Sequence, residues 1–479
     1  MAIRIDSRLE PFWDDFLLDS AKTTAELRNF SPVKREKVME LGEPWEGDGC
    51  DYFNFFRDGD LWRMYYLAWH TPFYEGKPAT SEIRVCYAES RDGVRWDKPS
   101  LGLCEFEGSK ENNILLDAKT QKFDNFFVFL DENPACPPES RYKAVTGDYG
   151  PSGSYFRSYE SADGIHFTPK SMIANSDFYD TLNTAFYDTD QKQYVAYVRG
   201  LHDGENGDRI RDIRRLTSPD FLNWTPSEPI TFFDEIDVPL YTNVISPYYR
   251  APHIKTGFPT RYISREVWTP NYDRLCGRER RLRRMEVSER FGLAVTDCIF
   301  MSSRDGAAFT RYQDAFLRPG AENGRNWVYG DCYPTYGMVE TPSADRGAQP
   351  ELSMFVFENH WQGIPTEVYR YTIRVDGFAA LSAGWKTKTA VTKPLIFDGN
   401  ALRLNFSTSA RGSLFVTITD AEGNRAESGE LFGDSINRTV DFDADLSAFA
   451  GKPVTIRMEM TECDLYSLQF FTETARNEE

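Results

Sequence analysis

The sequence predicts an all-β protein: a five-bladed β-propeller followed by a C-terminal β-sandwich. Three observations predict it: a recurring turn phrase, an aromatic-rich strand texture, and a change of texture near residue 380. The phrase is Ser-x-Asp-Gly-x-x-aromatic. It occurs as Ser90-Arg91-Asp92-Gly93-Val94-Arg95-Trp96, as Ser161-Ala162-Asp163-Gly164-Ile165-His166-Phe167 and as Ser303-Arg304-Asp305-Gly306-Ala307-Ala308-Phe309. A degenerate copy runs from Ser218 through Asp220 to Trp224, and a fifth keeps only Asp376-Gly377-Phe378. Asp-Gly between apolar runs marks a tight hairpin, because Gly adopts positive φ without strain. The five Asp residues, Asp92, Asp163, Asp220, Asp305 and Asp376, stand 57 to 85 residues apart, which marks a repeated supersecondary unit. A four-stranded blade needs about 40–50 residues, so each interval holds one blade and its loops.

The elements follow in order. Residues 1–45 hold a turn and strand around Arg8–Leu18, and an N-terminal strand is expected to complete the last blade and remove its free edge. Blade one is expected over about 49–102, with strands at Tyr52–Arg57, Leu61–Trp69 and Ile83–Ser90. Blade two is expected over 112–169, blade three over 173–229, blade four over 241–319 and blade five over 327–378. The long interval before Asp305 holds an insertion with seven Arg between Arg274 and Arg290, read as a solvated charged segment, a contact surface for a second copy, or a lid that brings guanidinium groups to an anion. After Gly377 short alternating strands such as Leu402–Phe406 and Ser413–Ile418 predict the sandwich. The expected division is 1–380 propeller and 381–475 sandwich.

Aromatic residues make up 15% of the chain, concentrated in runs such as Tyr52-Phe53-Asn54-Phe55-Phe56, which suits β packing. A net charge of −19 argues against nucleic acid as a partner. No apolar segment approaches membrane-spanning length and no leader pattern opens the chain, so the expectation is a cytoplasmic protein with no membrane partner. Eight Cys without zinc-type spacing predict buried thiols, no metal and no cofactor.

In a propeller the innermost strands line the axis, so polar residues at their starts converge. Asp51, Asp124 and Asp180 each stand just before an apolar strand in three successive blades. Each has a plainer reading as a turn residue. Blade four offers Arg250 and His253, with a structural ion pair and a core histidine as the plainer readings. Blade five offers Trp327, Tyr336 and Glu351. Asp297 interrupts an apolar strand, and Arg84 occupies the comparable place in blade one. Carboxylates facing cations inside a funnel edged by aromatic rings suit glycosyl transfer to water. That chemistry needs one acid to protonate the leaving oxygen and one carboxylate to attack or to activate water. Clustering raises one carboxyl pKa and divides the roles.

The phrases Met64-Tyr65-Tyr66, Cys86-Tyr87-Ala88-Glu89-Ser90-Arg91-Asp92-Gly93-Val94-Arg95-Trp96 and Phe300-Met301-Ser302-Ser303-Arg304-Asp305-Gly306, with the following sandwich, resemble five-bladed propeller glycosidases of the invertase, levanase and arabinanase clans. The resemblance implies Asp51 as nucleophile or base, Asp124 as the group that tunes pKa, and an acid in the third blade. The third-blade residue here is Asp180 where those clans use Glu, so Glu351 is a reserve acid. The Asn-Asp-Pro and Glu-Cys-Pro motifs of invertases are absent. The expected function is a glycoside hydrolase acting on a small glycoside or oligosaccharide, with a furanoside among the candidates. The alternatives are a phosphorylase holding phosphate through Arg250, His253 and Arg261 or Arg265, and a non-catalytic carbohydrate-binding propeller.

Overall fold

The structure is a computed structural model and describes residues 2–473 except 74–79, 119–122, 151–152, 176–178, 206 and 235. Five sheets surround one axis. The first contains Asp51–Asp58, Leu61–Ala68, Arg84–Ser90 and Ile114–Asp117. The second contains Phe127–Leu130, Tyr142–Gly150, Gly153–Ser161 and Thr168–Asn175. The third contains Thr184–Asp188, Gln193–Asp203, Arg209–Ser218 and Glu228–Pro229. The fourth runs Ser246–Tyr248, Ala251–Gly257, Met301–Ser303, Ala308–Arg311, with Thr231–Phe232 added in parallel at its edge. In the fifth, Tyr333–Pro334 and Val339–Thr341 pair with Glu351–Glu358, followed by Thr366–Arg374 and then Val33–Leu41.

An N-terminal strand therefore does complete the last blade, but it is Val33–Leu41 and not the Arg8–Leu18 segment. The expected blade limits also move: Ile114–Asp117 is the outer strand of the first blade and Thr168–Asn175 that of the second. Outer strands follow long loops and pair on one edge only, so they carry little periodic signal.

The turn phrase is a clasp between blades. In each full copy the Ser Oγ accepts from the Gly N–H, as from Ser90 to Gly93 at 2.9 Å, Ser161 to Gly164 at 2.9 Å and Ser303 to Gly306 at 2.8 Å. The Asp Oδ1 accepts from the two amides that follow the Gly, at 2.8 Å for both Val94 and Arg95. The glycines sit at φ 73°, 76° and 74°, the left-handed region that Gly tolerates. The Tyr65 hydroxyl of blade one donates to Gly164 O of blade two at 2.8 Å, and Tyr197 of blade three donates to Gly306 O of blade four at 2.7 Å. A Cβ at Gly164 or Gly306 would lie 2.9 or 2.7 Å from those hydroxyl oxygens. The aromatic that ends each phrase packs on the preceding blade: Phe167 on Tyr65, Trp224 on Phe156, Phe309 on Tyr197 and Phe378 on Tyr248. Trp96 of blade one packs on Phe355 of blade five, so the series closes on itself.

Nearer the axis, buried asparagines join neighbouring blades. Asn54 donates to Val128 O at 2.6 Å, Asn125 to Tyr179 O at 2.7 Å, and Asn243 to Leu182 O and Tyr197 O at 3.2 Å. Each amide satisfies backbone groups that the gap between two sheets would otherwise leave unpaired.

The C-terminal part forms a ten-stranded sheet built on Ala401–Asp420 and Val454–Phe471, which pair antiparallel with a register break between Thr408 and Ser413. Ile3–Asp6, Glu10–Pro11 and Glu26–Asn29 join this sheet, while Trp13 between them packs on Tyr248 and Phe300 of the propeller. Its core includes Phe12, Leu404, Val416, Ile456 and the stacked pair Phe397–Phe470. The fifth phrase makes the junction. Asp376, fully buried, accepts from Tyr248 (2.7 Å), Arg250 (3.0 Å), Ser467 (2.8 Å) and Asn405 (3.2 Å), and its carbonyl accepts from Trp13 Nε1 (3.0 Å).

The Arg-rich insertion folds as three short helices, Pro270–Arg274, Arg278–Met285 and Arg290–Leu293. It is only partly solvated: Arg281 and Arg284 are buried and donate to the Trp327 and Tyr329 carbonyls, both at 2.7 Å. Among the described residues no helix is long and apolar enough to cross a membrane.

The clasp makes a specific demand. Gly306→Ala forces a side chain into positive φ and against Tyr197, and is expected to cost about 1–3 kcal/mol. Tyr197→Phe removes one hydrogen bond and is expected to cost about 1 kcal/mol. Urea unfolding of the two variants checks both, with Gly306→Ala the more damaging.

Candidate active site

Inner strands of neighbouring blades lie side by side, so the residues that precede them meet at one end of the axis. Asp51, Asp124 and Asp180 come within electrostatic reach there: Asp124 and Asp180 push the Asp51 carboxyl up, and Asp180 pushes the Asp124 carboxyl up. They form a gradient of exposure. Asp51 is 4% exposed on the floor, whereas the Asp180 side chain is 51% exposed at the mouth.

Asp51 is presented by a β-bulge. Its strand pairs Asp51 with Leu67 and then slips register before Asn54, with Tyr52 at φ 51° inside the slip. Bulges re-aim side chains, and left-handed non-Gly residues collect where function holds them. Asp51 Oδ1 is buried without a hydrogen-bond partner. Oδ2 lies 3.9 Å from His360 Nε2, but burial and the Arg284 charge hold His360 near a pKa of about 3. The imidazole is therefore neutral and the contact is not an ion pair. Burial first, then Asp124 and Asp180, push the Asp51 carboxyl well above the usual carboxylate range.

Asp124 is fixed by its backbone N–H, which donates to Gly147 O at 3.0 Å, and Asp180 is the charged neighbour that pushes its carboxyl up. Burial and that neighbour raise it to about 7, against the opposing pull of Arg199 and Asn125. Neighbouring carboxyls resist ionising together, which favours the protonated form of Asp124. Arg199 supplies the counter-charge, with Nη1 3.5 Å from Asp180 Oδ2. It is 3% exposed, donates to Tyr241 O at 2.9 Å and lies 4.1 Å from the centre of the Tyr241 ring. Burial opposes its charge, but Tyr241, Asp180 and Tyr52 outweigh burial and hold the guanidinium above its ordinary range. Tyr241 stacks on Tyr262 and Tyr333, and accepts a 2.7 Å hydrogen bond from Tyr329. The Tyr262 and Tyr333 hydroxyls are buried without partners. Among the described residues no group of three or more His, Cys, Asp or Glu is placed to hold a metal ion.

The other sequence candidates are engaged elsewhere. Glu351 pairs with Arg35 of the outer strand at 3.2 Å. Arg250 serves Asp376 at the junction, and His253 stands 3.4 Å from Glu10. Glu10, though buried, is held down at about 2 by His253, Arg304 and Arg8. Asp297 forms a two-bond pair with Arg261 at 2.6 and 2.7 Å. Arg84 donates to Glu82 O at 3.1 Å and covers Phe106. Trp327 donates to Gly320 O at 2.9 Å and lines a separate hollow with Arg265 and Tyr272. Tyr336 lies against Phe127, and its charged neighbour is Glu132, not the aspartates. Sequence reasoning missed Arg199 and His360. Arg199 had a signal, a charge that directly continues the apolar run Tyr194–Val198, akin to the oddity that drew attention to Asp297.

No protein-family model matches the chain, and no curated protein matches it. Solved structures with a similar course include a glycoside hydrolase family 43 arabinoxylan arabinofuranohydrolase from Bacillus subtilis, at 11% identity and TM-score 0.41 over 95% of this chain and 100% of that one. A beta-fructofuranosidase from Schwanniomyces occidentalis follows at 11% identity and TM-score 0.37, covering 94% of this chain and 98% of that one. The Bombyx mori GH32 beta-fructofuranosidase gives 8% identity and TM-score 0.41, covering 92% and 95%. These likenesses are too slight to carry an activity. The class rests on the sheets and side chains described above: a five-bladed propeller with an acidic axial mouth.

The raised proton affinity has a consequence for stability. A carboxyl whose folded pKa lies above its unfolded value of about 4 contributes stability that is complete below that value and is lost as pH rises. Asp51→Asn removes this penalty. At pH 8 the variant is expected to melt at a higher temperature than the parent, and the difference is expected to vanish near pH 4, as read by thermal denaturation across the pH series.

Proposed function

We propose that the protein is a glycoside hydrolase whose propeller cleaves a small glycoside or oligosaccharide at the mouth formed by Asp51, Asp124 and Asp180. One observation carries this reading: three carboxyls from three successive blades come within electrostatic reach, and at least two keep their protons far above the ordinary carboxylate range. Glycoside cleavage uses such a set, because a neutral carboxyl must protonate the leaving oxygen while a second carboxyl attacks carbon or activates water. Asp180, exposed at the mouth where a leaving group departs to solvent, serves as the acid. Asp124 tunes its proton. Asp51, alone on the floor, serves as base or nucleophile once its own proton has passed to the coupled set. Arg199 offsets the negative charge of the set, and the buried tyrosine wall packs behind it. We also read the C-terminal sheet as a two-layer sandwich that forms an accessory domain from about residue 381, strapped by the N-terminal strands.

A panel of aryl furanosides and pyranosides tests the reading. Asp51→Asn, Asp124→Asn and Asp180→Asn are each expected to lower kcat by about 10²-fold or more, whereas Glu351→Gln keeps parental turnover. Asp180→Asn is expected to retain activity on dinitrophenyl glycosides, whose leaving group needs no proton, and Asp51→Asn is not. Parental turnover in all three Asp variants, or no turnover of any glycoside by the parent, overturns the proposal. Activity of the parent is expected to fall as pH rises through about 7, where Asp124 loses its proton.

A further inference from the structure

The Arg-rich insertion borders a second hollow that the glycosidase reading does not use. It has a volume of about 650 Å³ and is lined by Arg280, Arg283, Arg284, Trp361, Gln362 and Phe73, among others. The chain carries a net charge of −19, so cations gathered at one place stand against the background, with Asp331 within electrostatic reach of Arg284. Among the described residues no carboxylate lies within ion-pair distance of Arg280, Arg283 or Arg284, whereas Arg278, on the same rim, is paired with Asp273 at 2.9 Å. Glu279 is the acidic residue on the lining.

Arg284 supplies the second, independent observation. It is 1% exposed, and one nitrogen donates to Tyr329 O. Its Nε and Nη1 have no hydrogen-bond partner. A buried guanidinium with two unmet donors is costly unless an acceptor meets it. Arg280 is anchored by Gly324 O at 3.1 Å and Gln362 Oε1 at 3.4 Å, which holds its head group at the same wall. Guanidinium forks match planar or tetrahedral oxyanions.

We propose that this hollow binds an oxyanion, a carboxylate or a phosphate, through Arg280, Arg283 and Arg284. The space exceeds a bare ion and accommodates one carried on a sugar-sized body. The site adjoins the catalytic candidate, since Trp361 on its lining stacks on His360 with ring centres 5.2 Å apart, and His360 faces Asp51. The proposal does not rest on glycoside cleavage.

Calorimetric titration of the full chain with inorganic phosphate, glucuronate and glucose, at constant chloride ionic strength, tests it. Saturable binding of phosphate or glucuronate, none of glucose, and a loss of about tenfold or more in Arg283→Gln and in Arg280→Gln are expected. Binding of phosphate alone identifies a free phosphate site. Binding of glucuronate identifies an acidic sugar. Both variants replace side chains outside the core, which keeps the test open if Arg284→Gln fails to fold. Asp51→Asn is expected to retain anion binding, so loss of turnover and loss of this site are read separately. Absence of saturable heat from either anion, or unchanged affinity in both Arg280→Gln and Arg283→Gln, overturns the proposal.

Discussion

The contact on which the propeller depends is the docking of each Asp-Gly turn against the blade before it. A four-stranded sheet has two faces to cover and two edges to protect, and a single blade covers neither. Here the turn of one blade delivers a backbone carbonyl to a tyrosine hydroxyl of its neighbour and an aromatic ring to the same wall. Because Trp96 returns to Phe355, the chain of contacts has no free end. Glycine is required at Gly164 and Gly306 for two reasons at once, positive φ and a hydroxyl in the space a Cβ would take.

That closure sets the distances at the axis. Buried Asn54, Asn125 and Asn243 tie inner strands to one another, and they hold Asp51, Asp124 and Asp180 close although like charges repel. The group survives because few of its members are ionised together: protons stay on at neutral pH, and Arg199 offsets what charge remains. The bulge at Tyr52 and the orphan oxygen of Asp51 are local costs that the surrounding packing carries. Such costs gather where a scaffold has been arranged for chemistry.

The junction with the C-terminal sheet follows a different logic. Asp376 and Glu10 are buried, Arg250, His253 and Arg304 are partly buried, and each has a partner within hydrogen-bond or ion-pair reach. The same holds for Arg261 with Asp297. A charge in an apolar run has two explanations, a functional group or half of a pair, and the partner is the deciding fact. Arg250 and Asp376 are far apart in the chain, so the partner was not visible locally. Arg199, Asp297 and Arg84 offered the same local signal, and only Arg199 faces the axis.

The sequence by itself determined the strand class, the repeat and its number, the closing N-terminal strand, and the three aspartates ahead of the inner strands. These are matters of local chemistry: positive φ at Gly, alternation along strands, a short carboxylate at a strand entrance. Tertiary structure alone decided which segment closes the ring, which cations meet which carboxylates, and that His360 and Arg199 share the space with Asp51 and Asp180. Radial position is set by how each sheet docks on the next, and proton affinity by what burial brings near, so neither is written in any stretch of residues read alone.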